Sequence, residues 1–439
     1  MGAYEDTVAW LQSLEVARGW DLGLERMRVA LAVRGNPEAR FPALHIAGTN
    51  GKGSAAAMVE SVLRAAGRRT GLYTSPHLVD FTERIRAGGR TIPRDDVPAL
   101  VAELRGDLDA HGIGLTHFEF ATLLALEWFA RIGVDAAVIE VGLGGRLDAT
   151  NLVRPIVTAV TSIAHDHEEY LGTSLAAIAR EKAGIIKGGV PVVMGALPDE
   201  AAGVIASAAE ALGAPLCRVG ADAALLESSG GLDFRGPGGV EWQGLGLALP
   251  GRFQRANATV ALAMLALVRD RLPCSVDAVR HGLASAYWPG RLAVLDRSPL
   301  LIADGAHNPE GIATLADELP ALVGDRPVTL VFAVMADKAW RTMTERLLPL
   351  VRRVVVTRVG RRGLDPQALA CALADRVDVE AIGDPQSAIT TALARTPVDG
   401  AILVTGSLFL VGEAYAHRGL KSVFRPWQGW EQDGTEAPG

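Results

Sequence analysis

The chain predicts an α/β protein of two units. The larger, N-terminal one is a doubly wound ATPase-type domain with a phosphate loop, and a smaller Rossmann-like α/β domain follows it. Three observations carry this. Short apolar runs alternate with stretches of helical period along most of the chain, the pattern of parallel strands joined by crossover helices. At 439 residues the chain exceeds what one ordinary core supports, and the alternation restarts after the turn Trp288-Pro289-Gly290-Arg291. Finally, the glycine-rich run from His45 to Ser54 falls where a strand should turn into a helix.

In chain order, residues 1–40 read as helical, with a turn at Arg34-Gly35-Asn36-Pro37 before a buried strand, Phe41 to Ile46. After the glycine-rich run, Ala55, Val59, Val62, Leu63 and Ala66 recur at helical spacing. A loop so placed suits phosphate: glycines allow close backbone approach, the helix N-terminus faces negative charge, and Lys52 reaches the terminal phosphates. The strict pattern is not met. Gly53 separates Lys52 from Ser54, and Ile46 stands where the first glycine would be. A second strand, Thr70 to Thr74, ends in Ser75-Pro76-His77, and 81–93 reads as a loop or hairpin. Helices are expected over 95–110 and 117–132, then a strand from Asp135 through Glu140 and a loop from Gly142 to Asn151. A strand from Ile156 to Ile163 ends at His165-Asp166-His167, followed by helix 174–186, strand 190–194 and helix 199–212.

The stretch 220–249 is glycine-rich and weakly periodic, as short antiparallel strands would be. Helices over 255–271 and 275–286 lead to the Pro-Gly turn, the expected hinge. Beyond it, strands are expected near 300–304, 328–334, 353–358, 378–382 and 400–405. The domain reading is therefore 1–290, 291–425 and a loose tail over 426–439.

The formal net charge of −7 argues against a general nucleic-acid or anionic-membrane binder. Apolar residues at 49% and charged residues at 21% describe a globular protein with a large core. Cys217, Cys274 and Cys371 show no metal spacing and read as core residues of a reducing compartment. The N-terminus has no apolar signal core, and the longest apolar run, Val260 to Val268, is too short to cross a bilayer. A soluble, cytoplasmic protein is expected.

In doubly wound sheets, ligands bind beyond the carboxyl ends of the strands, where the polar clusters of this chain fall. Ser75 and Glu140 close predicted strands and offer hard oxygen donors suited to Mg²⁺ on a nucleotide. For Glu140 this reading stands ahead of a buried salt bridge. His167 is open between an unusual magnesium ligand and a buried, hydrogen-bonded histidine. Asp148, in Asp148-Ala-Thr-Asn151, either caps a turn or belongs to a loop closing over substrate. Lys182 reads by default as a helix-surface lysine. Asn308 and Pro309 suit a helix start, while Asp304 and His307 at the same strand end suit nucleotide contact. Arg291 would reach phosphates only if the two domains close on each other.

These stretches resemble the folylpolyglutamate synthase/dihydrofolate synthase branch of the Mur ligases. The likeness is carried by His45-Ile-Ala-Gly-Thr-Asn-Gly-Lys-Gly-Ser54, Tyr73-Thr-Ser-Pro-His77, Ile139-Glu-Val-Gly-Leu-Gly-Gly-Arg-Leu-Asp-Ala-Thr-Asn151 and Thr161-Ser-Ile-Ala-His-Asp-His167. Glu181-Lys-Ala-Gly-Ile-Ile-Lys187, Pro289-Gly-Arg291, Asp304-Gly-Ala-His-Asn-Pro309 and Val404-Thr-Gly-Ser-Leu408 continue it in family order. Leu22-Gly-Leu-Glu-Arg26 also fits, near where the family binds the pterin. One departure is Ala164-His165, where the family more usually has a glycine and an apolar residue.

The resemblance implies ATP-dependent attachment of L-glutamate to dihydropteroate, to reduced folates, or to both. It assigns ATP contacts to Gly48, Thr49, Asn50, Gly51, Lys52, Gly53, Ser54, Asn257, Arg291, Asp304 and His307. Mg²⁺ would be held by Ser54, Ser75, Glu140, His167 and Lys182, with Lys182 carbamylated, and the pterin pocket lined by Phe118 and Asp148. Lys52, Glu140, His167 and Lys182 would carry the chemistry, in a chain expected to act as a monomer. A ligase restricted to folates, or a slow ATP-hydrolysing switch acting through a partner, are the competing readings. Strict dependence of ATP turnover on glutamate separates a ligase from a switch.

Overall fold

The computed structural model describes residues 2–18 and 22–430. Eight strands form the first sheet: β1 (Ala43–Ala47), β2 (Thr70–Tyr73), β3 (Ile85–Ala87), β4 (Arg90–Thr91), β5 (Ala136–Glu140), β6 (Pro155–Val160), β7 (Val192–Met194) and β8 (Leu216–Arg218). Their order is β4-β3-β2-β5-β1-β6-β7-β8. Only the β2–β3–β4 edge hairpins are antiparallel. β1 lies between β5 and β6 in parallel register, so every residue of Ala43–Ala47 is buried. An apolar run without alternation is what burial on both faces requires.

Helix Lys52–Ala65 covers one face of this sheet and packs on the helices Gln254–Leu267 and Val276–Ala284. Gly282 permits the close crossing, since a Cβ there would lie 2.4 Å from Val62 Cα. Helix His117–Ile132 covers the other face, started by a capping box between Thr116 and Glu119 and ended by Gly133 in the left-handed region. A three-stranded antiparallel sheet, β9 (Ala224–Ser228), β10 (Gly231–Gly236) and β11 (Val240–Leu245), adds the stacked rings of Phe234 and Trp242 to the first core.

The second large sheet has the order β12-β13-β17-β14-β15-β16, formed by β12 (Ala293–Arg297), β13 (Leu300–Ala303), β14 (Val328–Phe332), β15 (Arg353–Val356), β16 (Asp378–Ala381) and β17 (Ala401–Thr405). Five of these strands run parallel, and β12 pairs antiparallel with β13. Strands β8 and β12 and the short helix Glu168–Leu171 were not expected. β8 is only three residues long, and β12 carries Asp296 and Arg297 at its end. Neither is long or apolar enough to register as a strand.

The cysteine expectation holds in part: Cys217 is buried, Cys274 half-buried and Cys371 exposed. No helix among the described residues is long and apolar enough to span a membrane.

The expected loose tail is corrected for residues 426–430; residues 431–439 lie outside the described part. The chain returns from the second sheet to β4, where Thr91 N–H donates to Arg425 O at 2.8 Å and Trp427 N–H to Thr91 O at 2.8 Å. Trp427 packs edge-on to Trp128 with centroids 5.5 Å apart, and Trp430 Nε1–H donates to Ile132 O at 2.8 Å. Upstream, Val423 N–H donates to Glu83 Oε1, and the Arg86 guanidinium lies 4.1 Å from the centre of the Phe424 ring. Proline, glycine and acidic residues suggested a loose end, but two tryptophans supply enough apolar surface to dock it.

Candidate active site

β1, β2, β5 and β6 end at the same edge, so the residues following them converge. The second sheet brings the end of β13 to the same place. Between the two sheets lies a cavity of about 690 Å³, lined by all the site candidates named from the sequence.

The glycine-rich loop links β1 to its helix, with its glycines required by contact and, at Gly48 and Gly51, by conformation as well. Gly48 has φ +149°, and a Cβ there would fall 2.0 Å from Thr161 Oγ1. Gly51 (φ +85°) faces Asn257, while a Cβ on Gly53 would meet the Trp288 ring at 2.3 Å. The departure from the strict phosphate-loop pattern at Gly53 therefore makes room for Trp288. Thr49 N–H donates to Ser162 O at 2.8 Å and Asn50 N–H to Ser162 Oγ at 2.9 Å, tying the loop to the end of β6. Lys52 Nζ curls onto its own loop, donating to Gly48 O at 3.0 Å and Thr49 O at 3.1 Å. Ser54 Oγ accepts from Gln254 Nε2 at 3.3 Å, and Gln254 Oε1 from Asn257 Nδ2 at 2.9 Å.

Glu140, the last residue of β5, is buried and accepts Ser75 N–H at 3.1 Å. Burial raises its pKa, opposed by Lys52, the Ser75 N–H, Arg291 and Arg86. Lys182 is buried rather than on a helix surface, which corrects the default reading. Its Nζ donates to Gly48 O at 2.9 Å, the carbonyl that Lys52 also uses. Desolvation, then repulsion from Lys52, brings its pKa down to about 7. His167 sits in the left-handed region (φ +50°), and burial lowers its pKa to about 4, leaving the neutral imidazole that ligation needs.

Asp166 and Lys338 join this group without having been assigned a role from the sequence. Lys338 Nζ lies 2.5 Å from Asp166 Oδ1 and 3.4 Å from His167 Nε2, while Asn308 Nδ2 donates to Asp166 Oδ2 at 3.2 Å. Asn50 Nδ2 donates to Glu310 Oε2 at 2.7 Å and Asn308 Nδ2 to Asn50 Oδ1 at 3.0 Å. Asn308 also caps its helix through Gly311 N–H at 2.8 Å. Asp304 is buried, its oxygens taking Leu292 N–H and Ala306 N–H at 2.8 Å each, and His307 Nδ1 contacts Gly305 O at 2.8 Å. Arg291 Nη1 donates to Gly290 O at 2.9 Å; the guanidinium reaches the cavity as the domains stand. A search of the sequence for polar residues after β14 would have found Asp337-Lys338.

At the far end, Gly142 leaves room for Phe118, whose ring a Cβ there would meet at 2.4 Å. Asp148 is buried and caps a 3₁₀ turn, Ala149–Leu152. Its Oδ1 takes Thr150 N–H at 2.9 Å and Thr150 Oγ1–H at 2.5 Å, and Oδ2 takes Leu143 N–H at 2.8 Å. The capped-turn reading is thus realised at the cavity wall. Arg84 Nε–H donates to His77 Nδ1 at 2.9 Å nearby.

The buried His45 and the half-buried His117 give an acid limb to stability. Burial lowers the pKa of His45 to about 3 and of His117 to about 4. Above pH 6.5 both are neutral folded or unfolded, and neither contributes a pH slope. Below it the unfolded chain takes up protons that the folded protein refuses, so stability falls. Each histidine contributes about 1.4 kcal/mol per pH unit within its window. Denaturant titrations at pH 7 and pH 5 should show that loss, and His45→Gln should reduce it while His117 still contributes; an unchanged slope would mean that burial does not lower the His45 pKa.

Among the described residues, no three His, Cys, Asp or Glu side chains converge on one point. The donors beside the phosphate loop that the resemblance assigns to metal, the Glu140 carboxylate, the His167 imidazole and the Ser54 and Ser75 hydroxyls, form a partial set. Such a set suits Mg²⁺, which keeps waters and takes its remaining ligands from phosphate oxygens.

The Mur ligase middle domain matches residues 46–265, and the Mur ligase glutamate ligase domain matches residues 290–408. The dihydrofolate synthase/folylpolyglutamate synthase of Bacillus subtilis is 34% identical over 433 residues, covering 94% of this chain and 98% of that protein. The chain belongs to the folylpolyglutamate synthase/dihydrofolate synthase family of Mur ligases. A probable bifunctional folylpolyglutamate synthase/dihydropteroate synthase of Haloferax volcanii is 37% identical over 405 residues; the match takes 89% of this chain but 48% of that one. Among family structures, E. coli FolC in complex with DHPP and ADP superposes with a TM-score of 0.86 at 35% identity, over 94% of this chain and 97% of that one. The bifunctional enzyme of Yersinia pestis, complexed with AMPPNP and Mn ion, gives 0.84 at 35% identity, over 94% and 98%.

Proposed function

We propose that this chain is an ATP-dependent ligase joining L-glutamate to dihydropteroate, to the γ-carboxylate of reduced folates, or to both. One observation carries the reading: the phosphate loop, buried Glu140 and Lys182, Asp304 and His307 on the second sheet, and Phe118 with Asp148 all face one cavity. The relatives' structures with ADP, AMPPNP, DHPP and Mn ion support a nucleotide, a pterin and a divalent metal in such a site.

The acceptor carboxylate attacks the γ-phosphorus of ATP, giving an acyl phosphate and ADP. The glutamate amine then attacks the acyl carbon, phosphate leaves, and the amine gives up a proton as the amide forms. Gly48 to Ser54 cradle the phosphates and Lys52 leaves its loop carbonyls for the transferring group. Glu140 with the Ser54 and Ser75 hydroxyls would hold one Mg²⁺, and His167 with carbamylated Lys182 a second. Bound metal supplies positive charge that offsets the phosphoryl oxygens. Asn257, Arg291, Asp304 and His307 orient the nucleotide, and Phe118 and Asp148 receive the pterin end. The remaining acceleration comes from positioning two substrates in a site from which water is excluded.

Residues 1–290 act as the ATP-binding domain and 291–425 as the glutamate-ligase domain, and both walls of the site come from one chain, so a monomer suffices. The reading places the enzyme in the cytoplasm. The test is ADP release with ATP, Mg²⁺ and L-glutamate, using 7,8-dihydropteroate or tetrahydrofolate as acceptor. Turnover strictly dependent on glutamate, with at least one acceptor, is expected. ATP turnover indifferent to glutamate, or silence with both acceptors, would overturn the reading.

A further inference from the structure

One polar side chain in the first sheet is left over by this mechanism. His45 occupies the middle of β1, a strand otherwise made of alanine, leucine and isoleucine, and is fully buried. An imidazole in such a place costs free energy unless it is hydrogen-bonded. Its Nε2 lies 2.9 Å from Thr150 Oγ1, across 105 residues of sequence. Thr150 is itself fully buried, and its hydroxyl lies 2.5 Å from Asp148 Oδ1.

The proton positions follow from the inventory of donors. A carboxylate can only accept, so the single hydroxyl proton of Thr150 is committed to Asp148. Toward His45 the same oxygen is then an acceptor, and the ring must donate from Nε2. The lone pair sits on Nδ1, which has no hydrogen-bond partner among the described residues. The order is therefore fixed: His45 Nε2–H to Thr150 Oγ1, and Thr150 Oγ1–H to Asp148 Oδ1.

What this line holds still is a loop. Asp148 also takes Leu143 N–H and Thr150 N–H, so its carboxylate organises the stretch from Gly142 onward that borders Phe118. The next side chain, Asn151, donates to Arg146 O and Gly184 O at 3.0 Å each. Arg146 N–H in turn donates to Glu181 O at 2.8 Å, beside Lys182. The loop is thus pinned to the Lys182 helix at one side and, through Thr150, to β1 at the other. β1 is also the strand whose end becomes the phosphate loop, three residues beyond His45.

We propose that His45 is a positioning residue for the acceptor, holding the Gly142–Asp148 loop in register with the phosphate loop through Thr150. Resting on the ligase reading for what the loop receives, this adds a role for His45 and Thr150 that neither motif nor mechanism assigns. His45 itself touches no substrate.

The test uses the full-length protein with His45→Phe, which keeps a ring and removes the donor, Thr150→Val, which keeps the shape and removes the hydroxyl, and Thr150→Ser, which restores it. Amide hydrogen exchange over 142–152 is read without ligand, and KM for acceptor and for ATP are read separately. Loss of one buried hydrogen bond is expected to speed exchange and raise acceptor KM by about tenfold in the first two variants. ATP KM should stay within about twofold, and Thr150→Ser should resemble wild type, which a merely stabilising pair would not produce. Unchanged exchange and acceptor KM in Thr150→Val, or ATP KM rising in step with acceptor KM, would overturn the proposal. A wild type inactive with both acceptors would defeat the ligase reading alone, because exchange over 142–152 would still decide whether His45 holds the loop.

Discussion

Lys182→Ala is expected to lower glutamate-dependent ADP release by about 10³-fold, with the melting temperature unchanged or slightly higher. The side chain is buried, with Nζ on Gly48 O at 2.9 Å, and its pKa of about 7 makes the neutral amine a major species near neutral pH. Only a neutral amine adds CO₂, forming an N–C bond and releasing one proton. The product is a carboxylate-like group, an oxygen donor where an ammonium would repel metal. Removing a desolvated ammonium that lies close to Lys52 relieves repulsion, which is why the fold should not suffer. Wild-type activity should also fall in bicarbonate-depleted buffer and recover on its return. A Lys182→Ala enzyme within about tenfold of wild type would sink the carbamate assignment.

Glu140→Gln should move activity and stability in opposite directions. Activity is expected to drop by about 10²-fold or more, because the amide keeps the shape and loses the charge that attracts a cation. The metal-free protein should melt a few degrees higher at pH 8. Burial raises the Glu140 pKa, so the folded protein holds that proton more tightly than the unfolded chain does. Above the folded pKa, ionisation therefore costs stability, and an amide has nothing to ionise. Addition of Mg²⁺ with ATP should stabilise wild type more than the variant and narrow the gap. Differential scanning calorimetry with and without Mg²⁺ and ATP reads both signs, and a variant that melts lower in the metal-free state would mean Glu140 is held by a structural ion pair instead.

Much of this site was legible because its parts are local. Gly48 to Ser54 lie on one strand-to-helix turn, and Ser75, Glu140 and His167 each close a strand predicted from the sequence, so periodicity alone placed them at sheet ends. From its neighbours alone, apart from the family resemblance, Lys182 reads as a surface lysine for the opposite reason. Its neighbours Arg180 and Glu181 look like a solvated helix face, and only the seating of that helix against the Gly142–Asp148 loop turns it inward. The Asp166–Lys338 pair spans 172 residues and two sheets, a separation at which spacing carries no signal. Likewise β8 and β12 owe their existence to the partners beside them, Met194 and neighbours for one, β13 for the other. The tail failed on composition: glycine and proline were weighed, and the two tryptophans that anchor it were not.

The return of residues 423–430 to the first sheet also sets an order of assembly. Thr91 and Arg425, which pair at the edge of that sheet, are 334 residues apart, and the whole second sheet is made between them. During synthesis, β4 therefore emerges as a bare edge beside the unshielded face of Trp128, and stays so until residues 423–430 have been made. The first domain can collapse early but cannot close early. Its seal comes from residues 423–430, made after the second sheet, and a chain interrupted before residue 423 would carry an open strand edge and an exposed aromatic surface in place of a finished wall.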